Sequence, residues 1–189
     1  LLSIPLFILA AKIMNGSSVT KRIFDFCNVL VGWLPGGLGH ANIVASLIFA
    51  GMSGTATSDV AGLGQIEIEA MKENGYDVEF SAGVTAASST VGPIFPPSVP
   101  MIMYSTISGV SVGSLFMGGV IPGVLMTILM MLIVYVVAKK RNYPKLPFPT
   151  AKEAFVAFEK ALIPCLTPII LLAGIWTGIF TTTEAAVVA

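Results

Sequence analysis

The longest charge-free stretch of the chain constrains its fold more than any other feature. From Ser81 to Ala138 there is no Asp, Glu, Lys, Arg or His. A helix that crosses the hydrocarbon core of a bilayer needs about 20 predominantly apolar residues, so this stretch exceeds the length of two spans. Residues 161–183 are also free of charge, and residues 26–58 carry only His40. The pattern predicts an all-α polytopic membrane protein and disfavours the alternative, a very apolar soluble core.

The composition disfavours several other classes of protein. The 189 residues are 55% hydrophobic and 11% charged, whereas about a quarter of the residues of a soluble domain are charged. The net charge is zero, which gives no electrostatic basis for binding nucleic acid. Cys27 and Cys165 are far apart and lack the spacing of metal ligands, so they are interpreted as small buried side chains. The chain begins without Met and ends within an apolar stretch, and we expect a fragment of a longer polytopic protein.

Two polar interruptions break the apolar stretches. The segment 41–51 is apolar but only about half the length of a span, and "SGTATS" (53–58) follows it directly. Non-helical backbone at membrane depth is tolerated only where it is buried in protein or lines a watery cavity. We therefore expect a re-entrant helical hairpin over 41–75, with the polar loop at its tip.

The second interruption is rich in proline. "PIFPPSVP" (93–100) cannot continue the helix predicted over 78–92, because each proline lacks an N–H and clashes with the preceding turn. A second half-length helix is expected over 101–109. The segment 76–109 is thus predicted to be a discontinuous transmembrane helix, whose break faces the hairpin tip.

The residues now in view resemble a known family. "FAGMSGTATSDVAGLGQIEIEAMKENGYDVEF" and "AASSTVGPIFPPSVPMIMY" are similar to the large membrane subunit of the tripartite ATP-independent periplasmic (TRAP) transporters. "SIPLFILAAKIMN", "LFMGGVIPGVL" and "GIFTTTEAAVVA" resemble further stretches of that subunit. Two segments depart from the pattern: "FTTTEA" lacks a proline, and "GQIEIEAM" carries glutamates where apolar residues are expected.

The resemblance implies an elevator-type ion-transporter fold built from two inverted repeats, of which this chain would hold the first. It implies sodium-coupled import of an organic anion, such as sialic acid or a C4-dicarboxylate, across a bacterial inner membrane. The implied partners are a small four-helix membrane subunit, a periplasmic substrate-binding protein and the lipid bilayer. Transported Na⁺ ions are the only cofactor implied, and no enzymatic activity is expected.

The expected organisation follows from the breaks and from the basic residues "KKR" (139–141), which the positive-inside rule places on the cytoplasmic side. The segments are membrane helices leading into the transport domain (1–40), the re-entrant hairpin (41–75), the broken helix (76–109), a long transmembrane helix (110–141), a cytoplasmic linker with an interfacial helix (142–162), and a transmembrane helix with the start of the second repeat (163–189).

The two interruptions supply oxygen atoms without fixed charge, which suits a hard cation such as sodium. The expected sodium ligands are Ser53, Gly54, Thr55, Thr57 and Ser58 in the first interruption, and Ser88, Ser89, Thr90, Gly92 and the Pro93 carbonyl in the second. Ser98 begins a half-helix whose N-terminus favours a substrate carboxylate. The expected substrate-binding residues are Ser53, Thr55, Pro96, Pro97 and Ser98.

A simpler interpretation stays open for each of these residues. Ser and Thr in membrane helices often bond to a carbonyl of the preceding turn or allow helices to pack closely. Asp59 follows "TATS" directly, so it fits an N-terminal cap or first-turn acid, with attraction of an ion alongside.

Functions other than transport with a binding protein would require different features of the sequence. An intramembrane enzyme would need a nucleophile with a base or a pair of acids, and neither His40 nor Asp59 has an evident partner in the sequence. A channel would need a continuous polar lining. A binding-protein-independent sodium-coupled anion transporter of related architecture remains the nearest alternative.

Overall fold

The structure, a computed structural model, describes residues 5, 6, 9, 12, 13, 19–181 and 184. The beginning of the membrane helices expected over 1–40 and the start of a second repeat beyond 181 lie largely outside these residues. Its main helices are, in chain order, α1 (Val19–Val31), α2 (Gly37–Ser53), α3 (Ala56–Asp59), a π-helical turn (Val60–Gly64), α4 (Gln65–Glu73), α5 (Val78–Ser89), α6 (Val99–Ser108), α7 (Val112–Arg141) and α8 (Ala151–Trp176).

Helix α2 lies at the centre of the described part of the chain. It packs against α1, α5, α7 and α8. The sequence permits this because glycine, alanine and serine let neighbouring backbones approach closely: a Cβ placed on Gly51, for example, would lie 2.6 Å from the Cβ of Pro168 in α8. The helix begins after Gly36, which adopts φ 76°, a left-handed conformation that glycine reaches without strain. The "PGG" segment therefore separates α1 from α2.

The main apolar core joins α1 and α2 to the π-helical turn and α4. Ile23 and Cys27 of α1 are fully buried beside Phe49 of α2, and Leu63 and Met71 complete the same cluster. The 4-residue and 8-residue spacings of Leu63, Glu67 and Met71 place them on one helix face. This face turns the π-helical turn and α4 towards the core that they share with α1 and α2.

Among the described residues, the helices α7 and α8 are the two that are long enough and apolar enough to cross a membrane. With 30 and 26 residues, they extend about 45 and 39 Å at 1.5 Å per residue. Most of their large aliphatic side chains are exposed. An all-helical protein with exposed apolar helices fits a membrane protein, because lipid takes the place of a protein partner for those side chains.

One element differs from the expectation. An interfacial helix within 142–162 and a separate transmembrane helix from 163 were expected, but α8 is continuous from Ala151 to Trp176. It passes through Pro164 and Pro168, which removes two backbone donors without ending the helix. Neighbouring turns and helices absorb such losses in membrane helices more readily than in soluble ones. The N-terminus of α8 is instead fixed by a capping box between Thr150 and Glu153.

Candidate functional site

The two interruptions lie against each other. The N–H of Val99, the first residue of α6, donates to the carbonyl oxygen of Gly54 at 3.2 Å. On the other side of the contact, a Cβ placed on Gly92 would lie 3.0 Å from the carbonyl carbon of Thr55. The break after α2 and the break between α5 and α6 therefore form one region of irregular backbone, as the sequence suggested they would.

Gly54 makes the contact sterically feasible. It ends α2 with φ 62°, and a Cβ at this position would lie 2.6 Å from the Pro97 oxygen and 3.1 Å from the Val99 nitrogen. Since all of these neighbours belong to the backbone, none can move aside as a flexible side chain would. Only glycine satisfies both the left-handed backbone and the close approach.

The first interruption divides its predicted residues between two environments. Ser53 is 1% exposed, and its hydroxyl lies 3.5 Å from the Thr55 carbonyl oxygen, at the limit of a hydrogen bond. Thr55 is the N-cap of α3 and accepts from the N–H of Ser58 at 3.3 Å. Thr57 is exposed and lines a separate surface depression with Val60. Ser53 and Thr55 therefore face the junction, whereas the Thr57 side chain does not.

The second interruption is organised by Ser98. Its side chain is fully buried, donates to the Pro93 carbonyl oxygen at 2.5 Å and accepts from the N–H of Met101 at 3.3 Å. Pro96 and Pro97, joined by a cis peptide bond, are buried beside it. The hydroxyl thus closes the proline loop onto the first turn of α6.

The N-terminus of α6 has few backbone donors left for an anion. Val99 donates to Gly54, Pro100 has no N–H, and Met101 donates to Ser98. The helix dipole still favours negative charge there, but a substrate carboxylate would have to displace one of these bonds to be held by N–H groups. The expectation of direct carboxylate capture is weakened by this geometry.

Three hydroxyls of the second interruption behave differently from one another. Ser89 donates to the Ala86 carbonyl at 2.9 Å and Thr90 donates to the Ala87 carbonyl at 2.6 Å. Both satisfy the preceding turn of their own helix, which is the simpler of the two interpretations. Ser88 is fully buried, and its hydroxyl lies within hydrogen-bonding distance of the Thr85 carbonyl of its own helix, at 3.1 Å, and of Asn42 of α2, at 2.8 Å.

A buried polar chain runs from Ser88 to α2 and ends close to the first interruption, and the sequence predicted little of it. Asn42 donates to the Thr85 hydroxyl at 2.7 Å and accepts from the Ser88 hydroxyl at 2.8 Å. Ser46 donates to Ser88 at 3.0 Å, and its side chain lies close to the Asp59 carboxyl. The polar positions of α2 at 42 and 46 are one turn apart, and this spacing was the available signal.

The prediction that Asp59 is an N-cap is wrong, because Thr55 is the N-cap of α3. Asp59 remains within the first turn of that short helix, where the sequence also allowed for it. It is 2% exposed, and its Oδ1 has no hydrogen-bond partner among the described residues. An ionised, partly unpaired carboxylate at such a position is expensive in a membrane protein, so a cation or a proton would relieve it.

Glu67 and His40 are two buried polar residues that sequence reasoning left out of the site. Glu67 is 1% exposed, and neither of its carboxyl oxygens has a partner among the described residues. It is one of the glutamates that depart from the family pattern. His40, expected in a loop or at an interface, lies within α2 and is 2% exposed.

Comparison with known proteins agrees with the geometry. A sequence model of the family described as "Tripartite ATP-independent periplasmic transporter, DctM component" matches residues 1–189. Over 188 residues the chain is 47% identical to the sialic acid TRAP transporter large permease protein SiaM of Vibrio cholerae, covering 100% of this chain and 44% of that protein.

Two further relatives are similar over all of this chain. The sialic acid TRAP transporter permease protein SiaT of Haemophilus influenzae is 47% identical, with 31% of its length covered. The C4-dicarboxylate TRAP transporter large permease protein DctM of Vibrio cholerae is 46% identical, with 42% covered. The chain thus spans less than half the length of these relatives. It belongs to the DctM family, the large membrane component of tripartite ATP-independent periplasmic transporters.

Proposed function

We propose that this chain forms part of a sodium-coupled importer of organic anions, seated in a bacterial inner membrane as a multi-pass protein. Family membership supports import of the tripartite type. The relatives carry names that specify sialic acid, C4-dicarboxylates and 2,3-diketo-L-gulonate. All three are carboxylates, so an organic acid is the substrate class that we propose. The proposed partners are a small four-helix membrane subunit and a periplasmic substrate-binding protein.

The observation that carries the proposal is the contact between the interruptions. Broken helices that meet within a membrane are how secondary transporters build ion and substrate sites. Here the Gly54–Val99 hydrogen bond and the close approach of Gly92 to Thr55 place both breaks in one buried region. The region holds hydroxyls and carbonyls, which are the ligands a hard monovalent cation prefers.

The geometry narrows the proposed sodium ligands. Ser53, Thr55 and the Pro93 carbonyl lie at the junction, and a carbonyl that accepts one hydrogen bond keeps a second lone pair for an ion. Ser88 and Asp59 belong to the adjoining polar chain, from which the charge of Asp59 would attract a cation. Ser89 and Thr90 contribute more plausibly through their backbone oxygens, because their hydroxyls bond to their own helix.

The transport movement that we propose is an elevator motion of the hairpin segment and the broken helix together. The segment from α2 to α4 would be the re-entrant hairpin of the first of two inverted repeats. Its tip is bonded to the start of α6, so the two would move as one unit. The exposed apolar faces of α7 and α8 are suited to lipid or to the rest of the transporter.

The test compares uptake with and without an inward sodium gradient. The whole permease, its small subunit and its binding protein would be assembled in proteoliposomes with labelled substrate. Ser53→Ala should reduce sodium-driven uptake about tenfold or more, since losing one buried polar partner is worth about 1–3 kcal/mol. Ser114→Ala, at an exposed position of α7, is the matched control and should transport normally.

A second measurement separates ion binding from transport. Anything that binds only the folded state raises its melting temperature, so sodium, but not potassium, should stabilise the wild type and the Ser114→Ala variant. Ser53→Ala should require more sodium for the same shift. Uptake that does not depend on sodium, together with equal stabilisation by sodium and potassium, would refute the sodium site while leaving the family assignment in place.

A further inference from the structure

An apolar groove of about 350 Å³ lies between α2, α5 and α7. Its lining includes Ile43, Phe80, Gly83, Met130, Ile133 and Val137. This volume falls within the range of about 300–1,000 Å³ that small-molecule sites occupy. Ile133 is 62% exposed, so the groove opens on the outward face of a helix that we place in the bilayer. With α7 placed in the membrane as proposed, a lipid acyl chain fits this apolar lining.

The groove follows one face of α7 towards the basic end of that helix. Met130, Ile133 and Val137 recur at spacings of three and four residues, so they lie one above the other. Continuing the same spacing from Val137 leads to Lys140 and Arg141, in the last turn of α7. The apolar lining therefore ends at two cationic side chains.

Both signs of charge meet at this end of the groove. Arg141 donates through Nη1 to Asp77 and, at 3.2 Å, to the Tyr143 hydroxyl. Tyr143 donates to the same Asp77 oxygen, and its ring lies 4.9 Å from that of Phe80, a lining residue. Glu79 also lines the groove and is exposed. The mouth thus offers a fixed guanidinium, a lysine and a free-standing carboxylate.

We propose that this groove binds one phospholipid whose head group carries both a phosphate and a primary ammonium, of the phosphatidylethanolamine type. One acyl chain lies between α5 and α7, the phosphate lies against Arg141 and Lys140, and the ammonium donates to Glu79. A guanidinium has five N–H donors in a fixed fork. The two bonds made by Arg141 use Nη1, so Nη2 and Nε are directed elsewhere and suit a phosphate.

Charge complementarity favours this head group over its common relatives. A choline head group has no N–H to donate to Glu79. A glycerol head group brings no cation to balance that carboxylate, whereas a primary ammonium brings three donors and a charge. Hydrogen bonds from Tyr143 and Arg141 lower the pKa of Asp77, so Asp77 stays ionised at neutral pH and keeps Arg141 at the mouth.

The test measures which lipids stay bound to the whole permease. The protein would be reconstituted in vesicles with equal parts of ethanolamine, choline and glycerol phospholipids, then extracted in mild detergent. The lipids retained per protein would be counted by mass spectrometry. The wild type should retain the ethanolamine lipid severalfold over the other two.

Gly83→Leu tests the groove itself. A Cβ at Gly83 has no neighbour within 4 Å, so a leucine side chain fits there and fills the groove without disturbing the helix. Gly118→Leu is the matched control, because Gly118 has equally open surroundings on α7, outside the groove lining. The first variant should lose the retained lipid and the second should keep it.

Glu79→Gln tests the head-group assignment and remains informative if Gly83→Leu does not fold. It should bring retention of the ethanolamine lipid down to that of the choline lipid. Glu73→Gln, at the exposed end of α4, should leave the preference intact. Equal retention of the three lipids by the wild type, or a preference that survives Glu79→Gln, would overturn the proposal.

Discussion

Helices α2 and α7 are both apolar on all sides, yet they lie in opposite surroundings. In α2, 14 of 17 residues are buried. In α7, only 6 of 30 residues are buried, and Ile121, Leu132 and Ile133 are more than half exposed. Hydropathy alone does not separate a helix that packs inside protein from one that faces lipid.

Side-chain size and isolated polar groups do separate them. Helix α2 combines glycines, alanines and serines with Asn42, and these residues allow close backbone contacts and bonds across helices. The segment 124–137 of α7 is built mainly from leucine, isoleucine, methionine and valine. Lipid tails are as apolar as leucine, so such a surface gains little from a protein partner. Small residues in an apolar segment therefore indicate a protein neighbour.

Truncating one large side chain on each helix gives the largest expected difference. Phe49→Ala should lower the free energy of unfolding by about 3–5 kcal/mol, since Phe49 is fully buried in the main core and would leave a cavity. Leu132→Ala, at a position 57% exposed, should change it by less than about 0.5 kcal/mol. Denaturation of the purified protein in mixed micelles measures both. Similar losses for the two variants would break the comparison.

Two glycines with a left-handed backbone conformation extend the comparison of stability to the helix ends. Gly54→Ala should destabilise by about 3 kcal/mol, because strain at φ 62° is joined by a clash with Pro97 and Val99. A Cβ at Gly109, where φ is 73°, would have no neighbour within 4 Å. Gly109→Ala should therefore destabilise the protein by only about 1–2 kcal/mol, the cost of the left-handed backbone conformation. The same denaturation assay applies. Equal effects would show that the contact between the interruptions is loose in the protein.

The buried polar chain of α2 comes next in size. Asn42→Leu keeps the side-chain volume but removes the donor to the Thr85 hydroxyl and one of the acceptors of the Ser88 hydroxyl, which should cost about 1–3 kcal/mol. Ser114→Ala on exposed α7 should fall within about 0.5 kcal/mol of the wild type. If Asn42→Leu proved neutral or stabilising, the chain would serve the ion site rather than the fold.

The smallest effect is expected at the end of α7, where it makes a polar contact with Asp77. The pKa of Asp77 is lowered by hydrogen bonds from Tyr143 and Arg141. A carboxyl whose pKa is lower when folded stabilises the protein above its unfolded pKa of about 3.9, and this stabilisation is lost as the pH falls through the folded value. The wild-type melting temperature should therefore decline slightly more than that of Asp77→Asn below about pH 4. Parallel curves would mean that the pair contributes nothing.

The sequence predicted the breaks of the chain better than its side-chain partners. Local chemistry ends helices, so the polar segment 53–58 and the proline-rich segment 93–100 were visible as interruptions without any tertiary information. The continuation of α8 through Pro164 was not visible, because its tolerance depends on neighbouring structure. Breaks are properties of short segments, whereas continuity through a proline is not.

The candidate site was predictable in part for the same reason. Clusters of small hydroxyl residues marked both interruptions, but the partners of Ser88 and the side chain near Asp59 come from α2, a separate segment. The burial of Glu67 depends on how α4 packs against α2 and α5, which no local pattern encodes. Sequence reasoning thus located the region and left the choice among its hydroxyls to the structure.

The segment 142–150 has the sequence of a connecting loop, yet two hydrogen bonds hold it to the rest of the protein. The Tyr76 hydroxyl donates to the Pro144 carbonyl at 2.9 Å, and the N–H of Leu146 donates to the Gly32 carbonyl at 2.9 Å. Amide hydrogens in an unfastened loop exchange with solvent almost without protection. The amide hydrogen of Leu146 should instead exchange slowly, because its hydrogen bond lasts as long as Tyr76 keeps the segment packed. Slow exchange at Leu146 would therefore report that the segment 142–150 is held against the protein.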